Sequence, residues 1–212
     1  MQPLPQGILL YNKPLHLTSF GLVKKLKRQL NVKKIGHGGT LDPLASGLMI
    51  IGIDKATKLL DSFLKLPKKY EGEFVLGAIT PSYDLETIPT NFKEVESITQ
   101  RTIEEISSQF CGVIQQKPPM FSAIKKNGET MYNLARKGLE IKLEPRSITI
   151  FELQLALKSL PVVHFKVHCT SGTYIRSLIY DIGAKLGVGA YLSKLVRTSI
   201  GDFTIDQSLE LA

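Results

Sequence analysis

The sequence predicts an α+β domain around a largely antiparallel sheet. Three observations lead there. Short apolar runs of strand length are interspersed with stretches of helical period. Two adjacent strand-like segments, 146–157 and 162–170, are placed to pair as neighbours. The composition, 43% hydrophobic and 22% charged over 212 residues, is that of a globular chain with one substantial core.

The elements follow in order. Gly7 to Asn12 reads as a short buried strand. Thr18 or Ser19 can cap a helix to about Leu30, because a short polar side chain there accepts from an otherwise orphaned amide. Val23, Leu26 and Leu30 form its apolar stripe, while Lys24, Lys25, Lys27 and Arg28 lie largely elsewhere, giving a basic outer face. The stretch Gly36 to Gly47 (GHGGTLDPLASG) holds four glycines and a proline and reads as irregular. Leu48 to Ile53 is a buried strand, and Asp54 can cap the next helix, with Ala56, Leu59, Leu60, Phe63 and Leu64 on its 3.6 period.

Tyr70 to Ile79 reads as a strand and 80–98 as an acidic loop. Thr102 with Glu105 matches a capping box for a short helix. Residues 111–145 are mixed, with Pro118, Pro119 and several lysines. After the paired strands comes a helix over Thr173 to Leu186. Ile175, Ile179, Ile182 and Leu186 point inward, and Gly187 is its stop. Tyr191 to Phe203 closes the pattern with a strand.

The net charge of +8 is unevenly spread. Residues 1–70 carry a balance of +9, 71–110 of −6 and 111–212 of +5. Two basic segments flanking an acidic one suit a polyanion-binding face, and equally a solvated lysine-rich surface. No apolar run is long enough to span a bilayer, and the N-terminus lacks a signal-peptide layout, so a cytoplasmic protein is expected. Cys111 and Cys169 have no CxxC partner and are expected as two buried thiols. No metal site is expected. His164 and His168 lie four apart on a predicted strand, with Cys169 pointing oppositely, and no HExxH is present.

Several residues could carry chemistry. Asp42 sits in the glycine-rich loop beside Pro43, either as a reactive carboxylate or as the cap of an Asp-Pro turn. His37 lies between glycines, either stacked on a base or exposed. Arg176 falls in the first turn of its helix, where the dipole disfavours a cation by roughly 0.3–1 kcal/mol. An acidic partner from elsewhere would relieve this, and a loop carboxylate such as Asp42 would serve; solvation or a structural salt bridge is the alternative. Tyr70 follows Lys68 and Lys69, as a base-stacking aromatic or a core tyrosine.

The loop GHGGTLDPLASG closely resembles the catalytic loop of TruB-type tRNA pseudouridine synthases. Other segments match in the same order: Asn12-Lys13-Pro14 leading to Thr18-Ser19; Lys69-Tyr70-Glu71; 118–125 followed by 132–138; and 171–176 followed by 195–198. The resemblance runs from about Gly7 to Phe203. It departs at His16, where the family usually has Gly, and at Val196, where Arg is common.

The resemblance implies a pseudouridine synthase fold, mixed and mostly antiparallel, with an RNA-gripping thumb at about 111–145. It implies a single catalytic domain over 1–212 with no C-terminal PUA-type domain. The activity it implies is isomerisation of uridine 55 in the T-loop of tRNA, on a flipped-out base and without cofactor or metal. Asp42 would be the nucleophile, by covalent addition or by way of a glycal. Tyr70 would stack on uracil and is the candidate base for the C5 proton. Arg176 would pair with Asp42. His37 would fill the space of the flipped base, Tyr174 line the pocket and Leu195 wall it. Lys13, Lys125, Arg136 and Arg146 would contact the substrate. The expected partner is the tRNA T-arm, with a monomeric protein and no protein partner. An RNA-folding module without catalysis, a guide-RNA-dependent relative and a carboxylate glycoside hydrolase are the competing readings.

Overall fold

The computed structural model describes residues 4–211 except 123, 127, 140 and 142, and excludes the side chains of 125, 126 and 130. In chain order the elements are β1 (Ile8–Lys13), α1 (Ser19–Gln29), β2 (Ile35–His37), β3 (Ala45–Ile53), a 3-10 turn (Asp54–Leu59), α2 (Leu60–Lys65) and β4 (Lys68–Leu76). Then follow α3 (Gln100–Gln109), β5 (Gly112–Gln116), β6 (Lys125–Lys126), β7 (Glu129–Thr130), α4 (Met131–Arg136) and β8 (Arg146–Ser159). The last are β9 (Val162–Cys169), α5 (Ile175–Lys185), β10 (Ala190–Ile200) and β11 (Phe203–Thr204). This is the α+β class expected, with a mixed sheet flanked by helices.

The chain divides into two compact units. The first is Met1–Gly72, Lys166–Ser171 and Lys194–Ala212; the second is Glu73–Phe165 and Gly172–Ser193. Strands β4, β9 and β10 contribute residues to both. In the first unit β1 lies antiparallel on β3, and β3 runs parallel to β10, with Ala45 opposite Leu195 and Gly47 opposite Arg197. Ile8, Leu10, Leu48, Ile50, Ala56, Leu60, Phe63 and Ile200 form its apolar cluster. In the second unit β9 adjoins β8, as the sequence suggested, and β8 pairs antiparallel with β5.

Thr18 caps α1 by accepting from Gly21 N, and Leu22, Val23 and Leu26 are buried. Leu30 is instead the exposed C-cap, one residue beyond the helix. The glycine-rich stretch is more regular than expected. β2 takes its first residues and β3 begins at Ala45, so the irregular part is 38–44. Gly47 stays inside β3 at φ 112°, where a Cβ would strike the Arg197 backbone. Asp54 does not cap a helix. It adopts φ 47°, opens the 3-10 turn and accepts from Lys34 N.

In the second unit, Thr99 rather than Thr102 caps α3, accepting from Thr102 N. The segment expected as an insertion, 111–145, opens with β5, a sheet strand; the β6–β7 pair and α4 follow. Cys169 is buried as expected, but Cys111 is exposed, because it precedes a strand with an outward-facing start. No described helix is long and apolar enough to cross a membrane.

Candidate active site

The site is built in the first unit around the turn that carries Asp42. Ala45 N donates to Asp42 O at 3.1 Å, closing a four-residue turn with Pro43 second, where proline's fixed φ fits. Ser19, at the start of α1, pins the preceding residue: its hydroxyl donates to Leu41 O at 2.9 Å and accepts from Leu41 N at 2.8 Å. His16 N donates to Pro43 O at 2.8 Å, so the opening loop braces the other side. His16 holds φ 63°, a left-handed conformation that favours glycine, which accounts for the family's usual residue there. Asp42 itself is half-buried.

Arg197 is the centre of this arrangement, and sequence reading gave it no role. It is 1% exposed. Its guanidinium donates to Leu48 O at 2.8 Å, Gly39 O at 3.2 Å and Thr40 O at 3.3 Å, and its charge acts on the Tyr70 phenol. One cation therefore ties the Asp42 loop to β3. Only the resemblance of segment 195–198 to the family's last motif points to it, since its partners lie about 150 residues away in the chain.

Tyr70 lies on β4, half-buried. Burial pushes its phenol up from the usual range, while the Arg197 guanidinium pulls it back. His37 ends β2 opposite Ile51, and burial, aided by Arg197, lowers its pKa. Its Nδ1 accepts from Gly39 N at 3.4 Å, which fits a neutral ring. Leu195 is buried on β10 opposite Ala45, three residues after Asp42.

Lys13 is fully buried. Its ammonium donates to Leu17 O at 2.7 Å and Pro14 O at 2.9 Å, so it holds the opening loop from within. Burial lowers its pKa to about 8, against the Asp42 carboxylate, which raises it. Lys68, also unassigned from sequence, is buried likewise at the C-terminal end of α2. It donates to Leu64 O at 2.6 Å and Leu66 O at 2.7 Å, where a helix dipole welcomes a cation.

The other expected residues lie in the second unit. Arg176 is buried in the first turn of α5, and the acidic partner its position demands is present: Asp84 Oδ2 lies 3.6 Å from its Nε. It also donates to Phe121 O at 2.8 Å and Ser82 O at 3.1 Å. Tyr174, half-buried, precedes the helix. The Gln116 side chain brackets it, accepting from Tyr174 N at 2.8 Å and donating to Tyr174 O at 3.1 Å. Arg136 is exposed, paired with Glu86 at 3.2 Å and lying over the Tyr132 ring. Arg146 is exposed at the start of β8. Lys125 has its backbone in β6; its side chain lies outside the described residues.

Comparison with known proteins places this geometry. Residues 27–175 match the N-terminal domain of the TruB family of pseudouridylate synthases. The chain is 49% identical over 208 residues to a tRNA pseudouridine synthase B of Parabacteroides distasonis, covering 95% of this chain and 88% of that protein. It is 43% identical over 205 residues to one from Clostridium tetani, covering 97% and 71%. Among solved structures, a Cbf5-Nop10-Gar1 complex shares 31% identity and a TM-score of 0.76 over 97% of this chain and 52% of that one. An H/ACA RNP bound to a substrate RNA containing 2'-deoxyuridine shares 29% and 0.72 over 96% and 50%. The chain thus spans about half the length of those solved chains. With a family model over most of its length and relatives above 40% identity, the chain belongs to the TruB family of pseudouridylate synthases, enzymes that isomerise uridine.

Proposed function

We propose that this enzyme isomerises uridine 55 in the T-loop of tRNA, with Asp42 as the nucleophile. The observation that carries the reading is the shared surroundings of Asp42 and Tyr70. A carboxylate stands on a braced turn whose carbonyls one buried arginine holds, and the half-buried phenol feels the charges of both that arginine and that carboxylate. Binding alone requires no such set.

The target base is hidden in a folded loop and must be extruded. His37, neutral at pH 7, is suited to occupy the vacated stack, and Leu195 walls the pocket. Asp42 adds covalently to the uridine and is released when C5 bonds C1′, or it removes a sugar proton and returns it at that step; in between the N1–C1′ bond breaks and the uracil turns. Tyr70 stacks on the ring and accepts the C5 proton, which requires phenolate character. Arg197 is the group on hand to supply it, since it alone opposes the effect of burial. Arg176 and Tyr174 are assigned to the reaction on the resemblance of the motif 171–176 alone. Arg136, Arg146 and Lys125 are assigned to phosphates, and Lys13 to the opening loop near the substrate. The protein acts as a monomer in the cytoplasm, without metal or cofactor.

The test is release of tritium from C5-labelled uridine in an unmodified tRNA transcript. Wild type releases it; Asp42→Asn binds the transcript and releases none. Binding without release by the wild type would move the reading to an RNA-binding module. Tyr70→Phe keeps the stacking ring and loses the hydroxyl, so it should bind normally and stall before release.

A further inference from the structure

Phe20 stands out on the first unit. It is 74% exposed in the first turn of α1, immediately after Ser19, whose hydroxyl clamps Leu41 beside Asp42. A large exposed aromatic has no folding role there, since α1 packs through Leu22, Val23 and Leu26 on another face.

The face it shares is informative. At 100° per residue, Phe20, Lys24, Lys27 and Arg28 fall within about 100° of one another, opposite the buried stripe. All four are exposed. The helix contains no acidic residue, and none of these cations forms an ion pair among the described residues. Arg101, Arg136 and Lys137 each have a carboxylate neighbour, whereas these three cations share one helix face with no acidic residue on their helix. From Phe20 to Arg28 the line of side chains runs about 12 Å away from the Asp42 loop.

We infer that this face of α1 is a binding track for the unpaired RNA next to the reacting uridine, with Phe20 stacking on a nucleobase and Lys24, Lys27 and Arg28 meeting successive phosphates. An aromatic followed by a line of cations is the combination that holds single-stranded nucleic acid without reading its sequence. The charge complementarity selects a polyanion, and the exposed ring selects one with π-faces. The inference rests on the RNA substrate proposed above, and adds to it a contact site distinct from the residues assigned there.

The chain has no tryptophan, so Phe20→Trp supplies a single fluorescent reporter at the site. Its emission should be quenched on titration with unmodified tRNA transcript, saturating with binding. Phe20→Ala should weaken binding by about five- to a hundredfold. Lys24→Gln with Lys27→Gln should reduce the salt slope of binding by about two units, one per lost phosphate contact. Because these side chains are exposed, circular dichroism should show an unchanged fold. An indole reporter that stays silent while RNA binds, or variants with unchanged affinity and salt slope, would overturn the track. So would emission that responds to vesicles of phosphatidylserine and phosphatidylcholine but not to RNA. Tritium release separates the two proposals: quenching without release leaves the track and removes the isomerase reading, whereas release with a silent reporter does the reverse.

Discussion

At the scale of single residues, the site depends on a cation that sequence patterning could not find. Asp42, Tyr70 and His37 could be named as candidates because each sits in a local motif with chemistry in its side chain. Arg197 could not, because its meaning lies in three carbonyls far away in the chain. Removing it as Arg197→Met strands Leu48 O, a buried acceptor worth about 1–3 kcal/mol when left unpaired, and frees the part-buried Gly39 O and Thr40 O. The urea midpoint should fall by the equivalent of about 3 kcal/mol with the slope unchanged. An unchanged midpoint would show that the carbonyls find other donors. His16 is the opposite case, a residue tolerated at a cost. A left-handed conformation costs a non-glycine residue about 1–2 kcal/mol, and glycine returns part of that in chain entropy. His16→Gly should therefore stabilise the enzyme by up to about 1 kcal/mol, read as a raised melting midpoint.

At the scale of elements, helical stripes were legible and boundaries were less so. The α1 stripe was right through Leu26 and failed at Leu30, which the chain uses as a cap. Glycine counting hid the start of β3, because Gly47 serves close approach to Arg197 inside a strand rather than a break. For α3 the capping-box pattern pointed to Thr102, but the cap is Thr99. The hydrogen bond runs from Thr102 N to Thr99, so Thr99→Ala should cost about 1 kcal/mol and Thr102→Ala less, as measured by chemical denaturation. The anomaly of a cation opening α5 was readable, and so was its remedy in kind. Which carboxylate supplies it within its unit was not, since Asp84 lies in a loop that had no recognised element. Both side chains are buried, so Asp84→Asn should destabilise by about 3 kcal/mol, the lower end for breaking such a pair. Little change would mean that Ser82 O and Phe121 O suffice to hold the guanidinium.

At the scale of the molecule, the uneven charge was visible in the sequence, but its deepest consequence was not. Lysines are ordinarily surface residues, yet Lys13 and Lys68 are buried with pKa values lowered to about 8, chiefly by loss of solvent. Unfolding returns each to a value near 10.5. Between about pH 8 and 10 the unfolded chain therefore binds more protons than the folded one, and stability rises with pH. Above about pH 10 the raised phenol of Tyr70 acts in the opposite sense, because the folded state then holds the extra proton. Asp181 has its pKa raised to about 6 by burial, only partly opposed by Lys117. Its contribution is present at low pH and is lost as pH rises through about 6. Urea midpoints taken at about pH 7.5 and 9.5 should thus increase with pH, whereas lysines that are all at the surface, titrating alike in both states, would add no slope. In Lys13→Met the increase should shrink by roughly half, since one of the two depressed ammonium groups is gone. A midpoint that falls over this interval would mean that the two ammonium groups keep their charge through the carbonyl oxygens that surround them.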